Sequence, residues 1–285
     1  MNELRRSIEG LEPVYAPLVF NPISALLAQQ AGFQALYLGG GSMGYIKAGT
    51  EANLSLTEMC QAALDIRTVC PLPLVLDGAC GWGDPMHVRR TIQMTEASGF
   101  AAIEIEDQLL PKRAHHHIGI EHMIPSEAME AKIRAAVEAR RDPDFVIIGR
   151  TNALRSTGLD DGLHRAEAYK RAGADMLYVT GRRAEDVRAL GERLPPPLMY
   201  MAGAGGLAHG QITRAELARL GFRLIVDPTT PLMAAHKALR QCYAALAKDE
   251  TDPLLGADAD KEQALVHQTI DLEAMLDIER QTVER

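Results

Sequence analysis

The sequence predicts a (β/α)₈ barrel, and three observations carry that prediction. Eight short apolar runs recur along the chain, with amphipathic, helix-like segments between them. Most of the runs are nearly continuous in apolar residues, as parallel strands buried on both faces require. No shift in composition separates one strand–helix unit from the next. Right-handed crossovers between parallel strands then close the set into a cylinder. A doubly wound open sheet is the structural alternative.

The strand candidates are, in order, "PLVF" (17–20), "ALYLGG" (35–40), "LPLVLDG" (72–78), "AAIEIED" (101–107), "FVIIGRTN" (145–152), "MLYVTG" (176–181), "PLMYMAG" (197–203) and "FRLIVDP" (222–228). Helix signals lie between them. "SLTEMCQAALDIRTVC" starts with Ser55 as N-cap and Glu58 three residues on, a capping-box pattern. "PSEAMEAKIRAAVEAR" (125–140) opens on proline and serine, and "LDDGLHRAEAYKRAGA" runs into a glycine, as helices often do. The barrel is expected to occupy 1–248. Residues 249–285 then form a polar linker and one helix, "KEQALVHQTIDLEAMLDIERQTVER", with an apolar stripe at Leu265, Ile270, Leu272, Met275 and Ile278. Such a stripe needs a partner, either the chain's own barrel or a neighbouring subunit.

Composition bounds the function. At 285 residues and 47% hydrophobic, the chain can bury a core without disulfide or metal staples. A formal charge of -8 leaves no broad basic surface, which argues against nucleic acid and anionic membranes as partners. Cys60, Cys70, Cys80 and Cys242 form no CxxC pair, and reduced thiols in the cytoplasm are the simplest reading. The start "MNELRRSIEG" has no apolar signal core, and no apolar span is long enough to cross a bilayer.

Barrel enzymes carry their sites at the C-terminal ends of their strands. Here those ends offer Gly39 to Ser42, Asp77, Glu106 with Asp107, Arg150 with Asn152, Thr180 and Asp227. Acidic oxygens suit a hard divalent cation such as Mg²⁺, and an arginine grips a carboxylate bidentately. The competing reading is a structural ring of ion pairs. "GGGSMG" (39–44) matches the dinucleotide fingerprint by letter, but no clear helical period follows it, so it reads as a backbone cradle for an anion or as a plain tight turn. "RAHHHIGIEH" brings His115, His116, His117 and His122 into a loop, where one can serve as acid or base and the others as solvated side chains. Cys80, just past Asp77, reads better as a small apolar loop residue than as a nucleophile.

At this point the chain resembles the isocitrate lyase/phosphoenolpyruvate mutase superfamily, most closely its short methylisocitrate-lyase and dimethylmalate-lyase members. "LYLGGGS", "PLVLDGACGWGD", "IEIEDQLLPKR", "KIRAAVEARRDPDFVIIGRTNAL" and "AEAYKRAGADMLYV" carry the resemblance. It implies a barrel whose eighth helix swaps between subunits of a dimer or tetramer. It also implies Mg²⁺ and a small 2-hydroxy or 2-oxo di- or tricarboxylic acid, cleaved at a C–C bond to leave an enolate. By the same resemblance Asp77 and Glu106 fall on metal-site positions, with Glu58 in the outer shell. Arg150 falls on the substrate-binding arginine, Gly40 and Gly41 on a carboxylate cradle, and Tyr37 and Asn152 among the substrate-binding positions.

The departures concern the same site. The family's "DAD" reads "DGA", so Ala79 replaces an aspartate. "KRCGH" reads "KRAHH", so Ala114 stands at the catalytic cysteine, His115 at the glycine, and only His116 is kept. Asn152 replaces an aspartate, Thr180 an acid, and "MAGAGG" (201–206) a polar motif. Glu106 to Gly119 is then expected to end the fourth strand and to continue as a gating loop that excludes water from an enolate. His116, or His115, would take over proton transfer from the missing thiol. Phosphonopyruvate-type chemistry and a silent carboxylate-binding barrel are the alternatives.

Overall fold

The computed structural model describes residues 3–181 and 183–284. The first two residues of the amino-terminal stretch, and Arg285 at the end of the expected terminal helix, lie outside the described residues. Eight strands run β1 (Val14–Pro17), β2 (Leu36–Leu38), β3 (Leu74–Asp77), β4 (Ala102–Glu106), β5 (Val146–Thr151), β6 (Met176–Val179), β7 (Leu198–Met201) and β8 (Phe222–Asp227). Their order is β1-β8-β7-β6-β5-β4-β3-β2, and the paired strands are parallel. A parallel bridge between Leu18 and Tyr37, with Val19 N–H donating to the Tyr37 carbonyl at 2.9 Å, brings β1 to β2. That contact makes the sheet a barrel rather than the open alternative.

The first strand lies earlier than the sequence suggests. Its ladder with β8 covers Val14 to Pro17, and the apolar run beyond it leans across to close on β2. The helices α2 (Pro22–Gln30), α4 (Leu56–Arg67), α5 (Pro85–Ala97), α6 (Ser126–Ala139), α7 (Leu159–Arg171), α8 (Ala184–Arg193) and α9 (Arg214–Arg219) follow successive strands, as the alternating pattern demands. Ser55 and Glu58 form the expected capping box at the start of α4. Leu4 and Ile8 of α1 (Glu3–Glu9) join the inner core formed by Val14, Val75, Val146, Met199 and Leu224.

Strand alternation positions the site. In β4, Ala102 belongs to the inner core and Ile103 and Ile105 to the layer beneath the helices, so Glu104 and Glu106 turn inward. The same period turns Asp77 inward with Val75, and Arg150 inward with Val146 and Ile148.

Two local expectations are corrected. Three glycines of "GGGSMG", Gly40, Gly41 and Gly44, are themselves helical, in the short α3 (Gly40–Ile46), with Gly39 as its extended N-cap. A Cβ on Gly44 would lie 2.4 Å from the Thr50 backbone, so close approach of the returning chain requires glycine there. The terminal helix is two helices, α11 (Ala259–Thr269) and α12 (Leu272–Thr282), which pack on one another. Asp271, at φ 53°, breaks the helical path between them.

The helix after β8, α10 (Thr230–Leu246), buries only Ala245 and leaves Leu239, Tyr243 and Leu246 exposed. On the barrel, Ile23 and Leu27 of α2 are also exposed. Among the described residues no helix is long and apolar enough to cross a membrane.

Candidate active site

Strand register assembles a charged cluster at the mouth of the barrel. Asp77 of β3 is level with Glu104 of β4, and Glu106 of β4 is level with Arg150 of β5. Arg150 donates through Nη1 to Glu104 Oε1 at 2.5 Å and through Nη2 to Asn152 Oδ1 at 3.3 Å. Its Nε lies 3.1 Å from Glu106 Oε2, and its guanidinium sits 5.2 Å from the centre of the Tyr178 ring. Asn152 Nδ2 donates to Glu106 Oε2 at 2.8 Å, and Thr180 Oγ1 donates to Asn152 Oδ1 at 2.8 Å. Asp77 accepts the Gly40 and Ala79 amides, each at 3.0 Å. Tyr37 is fully buried in the barrel; its hydroxyl and Glu104 Oε2 have no hydrogen-bond partner.

The surroundings split the two glutamates. Burial pushes Glu104 up to about 8, with Asp77 and Glu106 adding to the effect and Arg150 opposing it. Burial would also raise Glu106, but Arg150, Lys112 and His116 hold it far below the ordinary carboxylate range. Lys112 is the counterpart: burial works against its charge, yet Glu106, Asp77 and Glu51 outweigh it and hold it above the usual lysine range.

Lys112 arrives on the loop after β4. The neck of that loop is an antiparallel bridge between Gln108 and Met123, with Leu109 N–H donating to the His122 carbonyl at 2.6 Å. Asp107 does not face the mouth. Its buried carboxylate accepts from Thr151 Oγ1 at 2.7 Å, Tyr169 Oη at 2.8 Å and the Asn152 amide at 3.2 Å, which ties the neck to β5 and α7. Beyond the neck, Lys112 Nζ donates to Glu106 Oε1 at 2.5 Å and pairs with Glu51 Oε1 at 3.1 Å. A short 3₁₀ turn, Ala114–Ile118, follows and ends at Gly119 with φ 81°.

The turn separates the histidines. His116 Nδ1 lies 3.0 Å from the buried carboxylate of Glu121, and its Nε2 faces Glu51 Oε1 at 4.0 Å. Arg155 also pairs with Glu121, at 2.9 Å. His117 bridges Glu51 at 2.8 Å and the Tyr45 hydroxyl at 3.0 Å. His115 is exposed and pairs with His122 at 3.1 Å, away from the cluster.

A cavity of about 440 Å³ lies beside the cluster, lined by Glu51, Ala79, Cys80, Trp82, His87 and Lys112 among others. It does not extend to Arg150, Gly40 or Gly41, because Lys112 and the loop cover the centre. Burial pushes the Cys80 thiol up to about 12, so it is an unreactive wall residue.

Of the residues singled out from sequence, the structure brings together Asp77, Glu106, Arg150, Asn152, Gly40, Tyr37 and His116. Gly41 follows Gly40 in the first turn of α3. Asp227 is elsewhere: its carboxylate accepts the Thr229 and Thr230 amides and caps α10. Glu58 is half exposed, bound to Ser55 and Lys47, and the acid facing the mouth is Glu51. Glu51, Glu104 and Glu121 were not singled out. Only Glu104 had a signal, the two-residue alternation of "AIEIE".

The donors present do not fit a divalent cation. Among the described residues no group of three or more His, Cys, Asp or Glu is arranged to hold one. Ala79 offers a methyl group beside Asp77, and Asn152 presents N–H donors to Glu106 rather than oxygen to a metal shell. The space between Glu106 and Glu51 holds the Lys112 ammonium.

Comparison with known proteins agrees with this architecture. A family model described as phosphoenolpyruvate phosphomutase matches residues 4–247. The chain is 32% identical over 252 residues to a 2,3-dimethylmalate lyase of Eubacterium barkeri, covering 87% of this chain and 86% of that protein. It is 34% identical over 252 residues to a 2-methylisocitrate lyase of Shewanella oneidensis, covering 86% and 84%. A crystal structure of a phosphonopyruvate hydrolase in complex with oxalate and Mg²⁺ superposes with a TM-score of 0.86 at 27% identity, covering 98% of each chain.

Proposed function

The chain belongs to the isocitrate lyase/phosphoenolpyruvate mutase superfamily, and from that premise we propose that it is a carbon–carbon lyase or decarboxylase. Its substrate in this reading is a small 2-hydroxy or 2-oxo di- or tricarboxylic acid, and its intermediate an enolate. The observation that carries the reading is His116 on the loop, oriented by Glu121 and set against the Glu106–Arg150 pair.

In a lyase turnover the substrate hydroxyl loses its proton, its carbon becomes a carbonyl, and the C–C bonding electrons pass to the departing enolate. In decarboxylation the same electrons come from the bond to the leaving CO₂. Both routes end with a proton delivered to the enolate carbon. His116 is the group we assign to that delivery: its Nδ1 is held between Gln108 Nε2 at 2.7 Å and Glu121 at 3.0 Å, which leaves Nε2 as the nitrogen that faces Glu51. His115, paired outward with His122, is left out of the step. The first turn of α3 supports the carboxylate role assigned to Gly40 and Gly41. Gly40 N–H is engaged by Asp77, so Gly41 carries the free amide of that pair. Arg150, held by Glu104 and Asn152, is a rigid cationic floor. Closure of the loop from its neck excludes water from the enolate. No step is assigned to Mg²⁺, since the donor set does not fit it.

The test is product analysis after incubation with substituted malates and oxaloacetate. Cleavage or decarboxylation of one of them supports the reading. Phosphate release from phosphonopyruvate alone would favour the second reading, which rests on the likeness to the phosphonopyruvate hydrolase. Turnover of none would leave a carboxylate-binding barrel.

We also propose that the protein is a homo-oligomer, a dimer or a dimer of dimers, with α10 docked on a second copy. The apolar side chains of α10 and the exposed Ile23 and Leu27 of α2 are the two halves of such a contact. Free thiols at all four cysteines support a reducing, cytoplasmic setting.

A further inference from the structure

We propose that Lys112 is the resident cation of this site: its ammonium sits between Glu51 and Glu106 and stabilises the enolate oxygen in place of the divalent ion that the resemblance implies. The inference rests on the enolate reading above and concerns how the charge is met.

Three observations carry it. First, Lys112 Nζ lies 2.5 Å from Glu106 and 3.1 Å from Glu51, with its side chain 5% exposed. A loop lysine normally keeps its ammonium in water. Here the whole stem is folded inward, and two acids from separate elements converge on the charge. Second, the acids around it have lost the oxygen-rich shell a hard dication needs. Asp77 is occupied by two backbone amides, Glu106 by Asn152 and Arg150, and Ala79 contributes no donor. A single positive charge with three N–H bonds matches what remains better than a dication with six oxygen sites. Third, Lys112 and Ala79 both line the 440 Å³ cavity, so the lysine that carries the charge borders the open space beside the cluster.

The arrangement has a kinetic corollary. A metal ion waits in an open site, whereas this charge rides on the closing loop. Electrophile and lid reach the substrate in one movement, so enolate formation is confined to the closed state.

The test uses full-length protein, Mn²⁺ titration followed by electron paramagnetic resonance, and oxalate as an enolate mimic followed by calorimetry. Wild type is expected to leave Mn²⁺ free in solution and to bind oxalate with the same affinity, within about threefold, in EDTA and in excess Mg²⁺. Lys112→Ala is expected to weaken oxalate binding in EDTA by roughly 30-fold or more, the usual loss when one member of a desolvated charge pair is removed. Lys112→Arg, which keeps the charge, is expected to bind oxalate without metal at reduced affinity. Mn²⁺ binding by wild type that Asp77→Asn abolishes, or oxalate binding that requires Mg²⁺, would overturn the assignment while leaving the enolate reading intact. Absence of oxalate binding by wild type in both conditions would overturn both.

Discussion

Arg150 and Glu104 face each other across adjacent strands at 2.5 Å, and both side chains are buried. The pair is the floor of the site. Its acid is the more weakly ionised partner, because burial and the neighbouring Asp77 and Glu106 outweigh the guanidinium. Removing both charges from water costs more than an exposed pair would return, so the arrangement serves position more than stability.

The floor predicts a pH dependence. Glu104 has a folded value of about 8 against 4.5 in the unfolded chain, so its stabilising proton is fully present below 4.5 and is lost as pH rises through about 8. Glu104→Gln removes this titration. Its melting temperature is expected to fall less steeply than that of wild type as pH rises from about 4.5 to about 8; parallel curves in a thermal-melt series would show that Glu104 is not the group responsible.

His116→Ala is expected to lower kcat on an identified substrate by roughly 10²–10⁴-fold, the range for loss of a positioned acid–base group. Glu121→Gln keeps the hydrogen-bond geometry but not the charge that orients His116, and is expected to shift the pH–rate profile with a smaller loss. His115→Ala is expected to retain turnover, since its ring partners His122 outside the cluster. Steady-state kinetics of the three variants separates the roles.

Asn152→Asp would replace the amide donor to Glu106 with a second carboxylate in full burial. Destabilisation on the order of 3 kcal/mol is expected from leaving a buried charge uncompensated. Chemical denaturation measures it, and an unchanged midpoint would mean that the cluster tolerates another negative charge.

Ending the chain after Ala247 removes α11 and α12 and their exposed Leu265, Met275 and Ile278. A smaller assembly by light scattering is expected, and an unchanged mass would confine the subunit contact to α10.

The legibility of this chain follows the physics of its elements. Parallel strands are buried on both faces, so their apolar runs stand out, and every strand was located to within a few residues. The least accurate was β1, where Pro17 ends one ladder while the apolar residues continue toward β2. The Ser55–Glu58 box was legible because both partners lie on one local pattern. Glu104 was hidden inside "AAIEIED", where a continuous apolar run masks a two-residue period that sets it beside Glu106. Glu51 and Glu121 left no trace, and Lys112 was legible only as a residue of the loop, because loop side chains meet through chain reversal rather than periodicity. The break at Asp271 was invisible for a related reason: the apolar stripe runs on through a residue whose backbone turns left-handed.

The anchoring of Asp107 bears on how the flap behaves. With that carboxylate fastened to Thr151, Tyr169 and Asn152, the root of the segment is tied to β5 and α7. The closure proposed above would then turn about this fixed root and bring the tip back to one position over the mouth. A latch of this kind trades reach for repeatability, which suits a small guest that must be met at one angle.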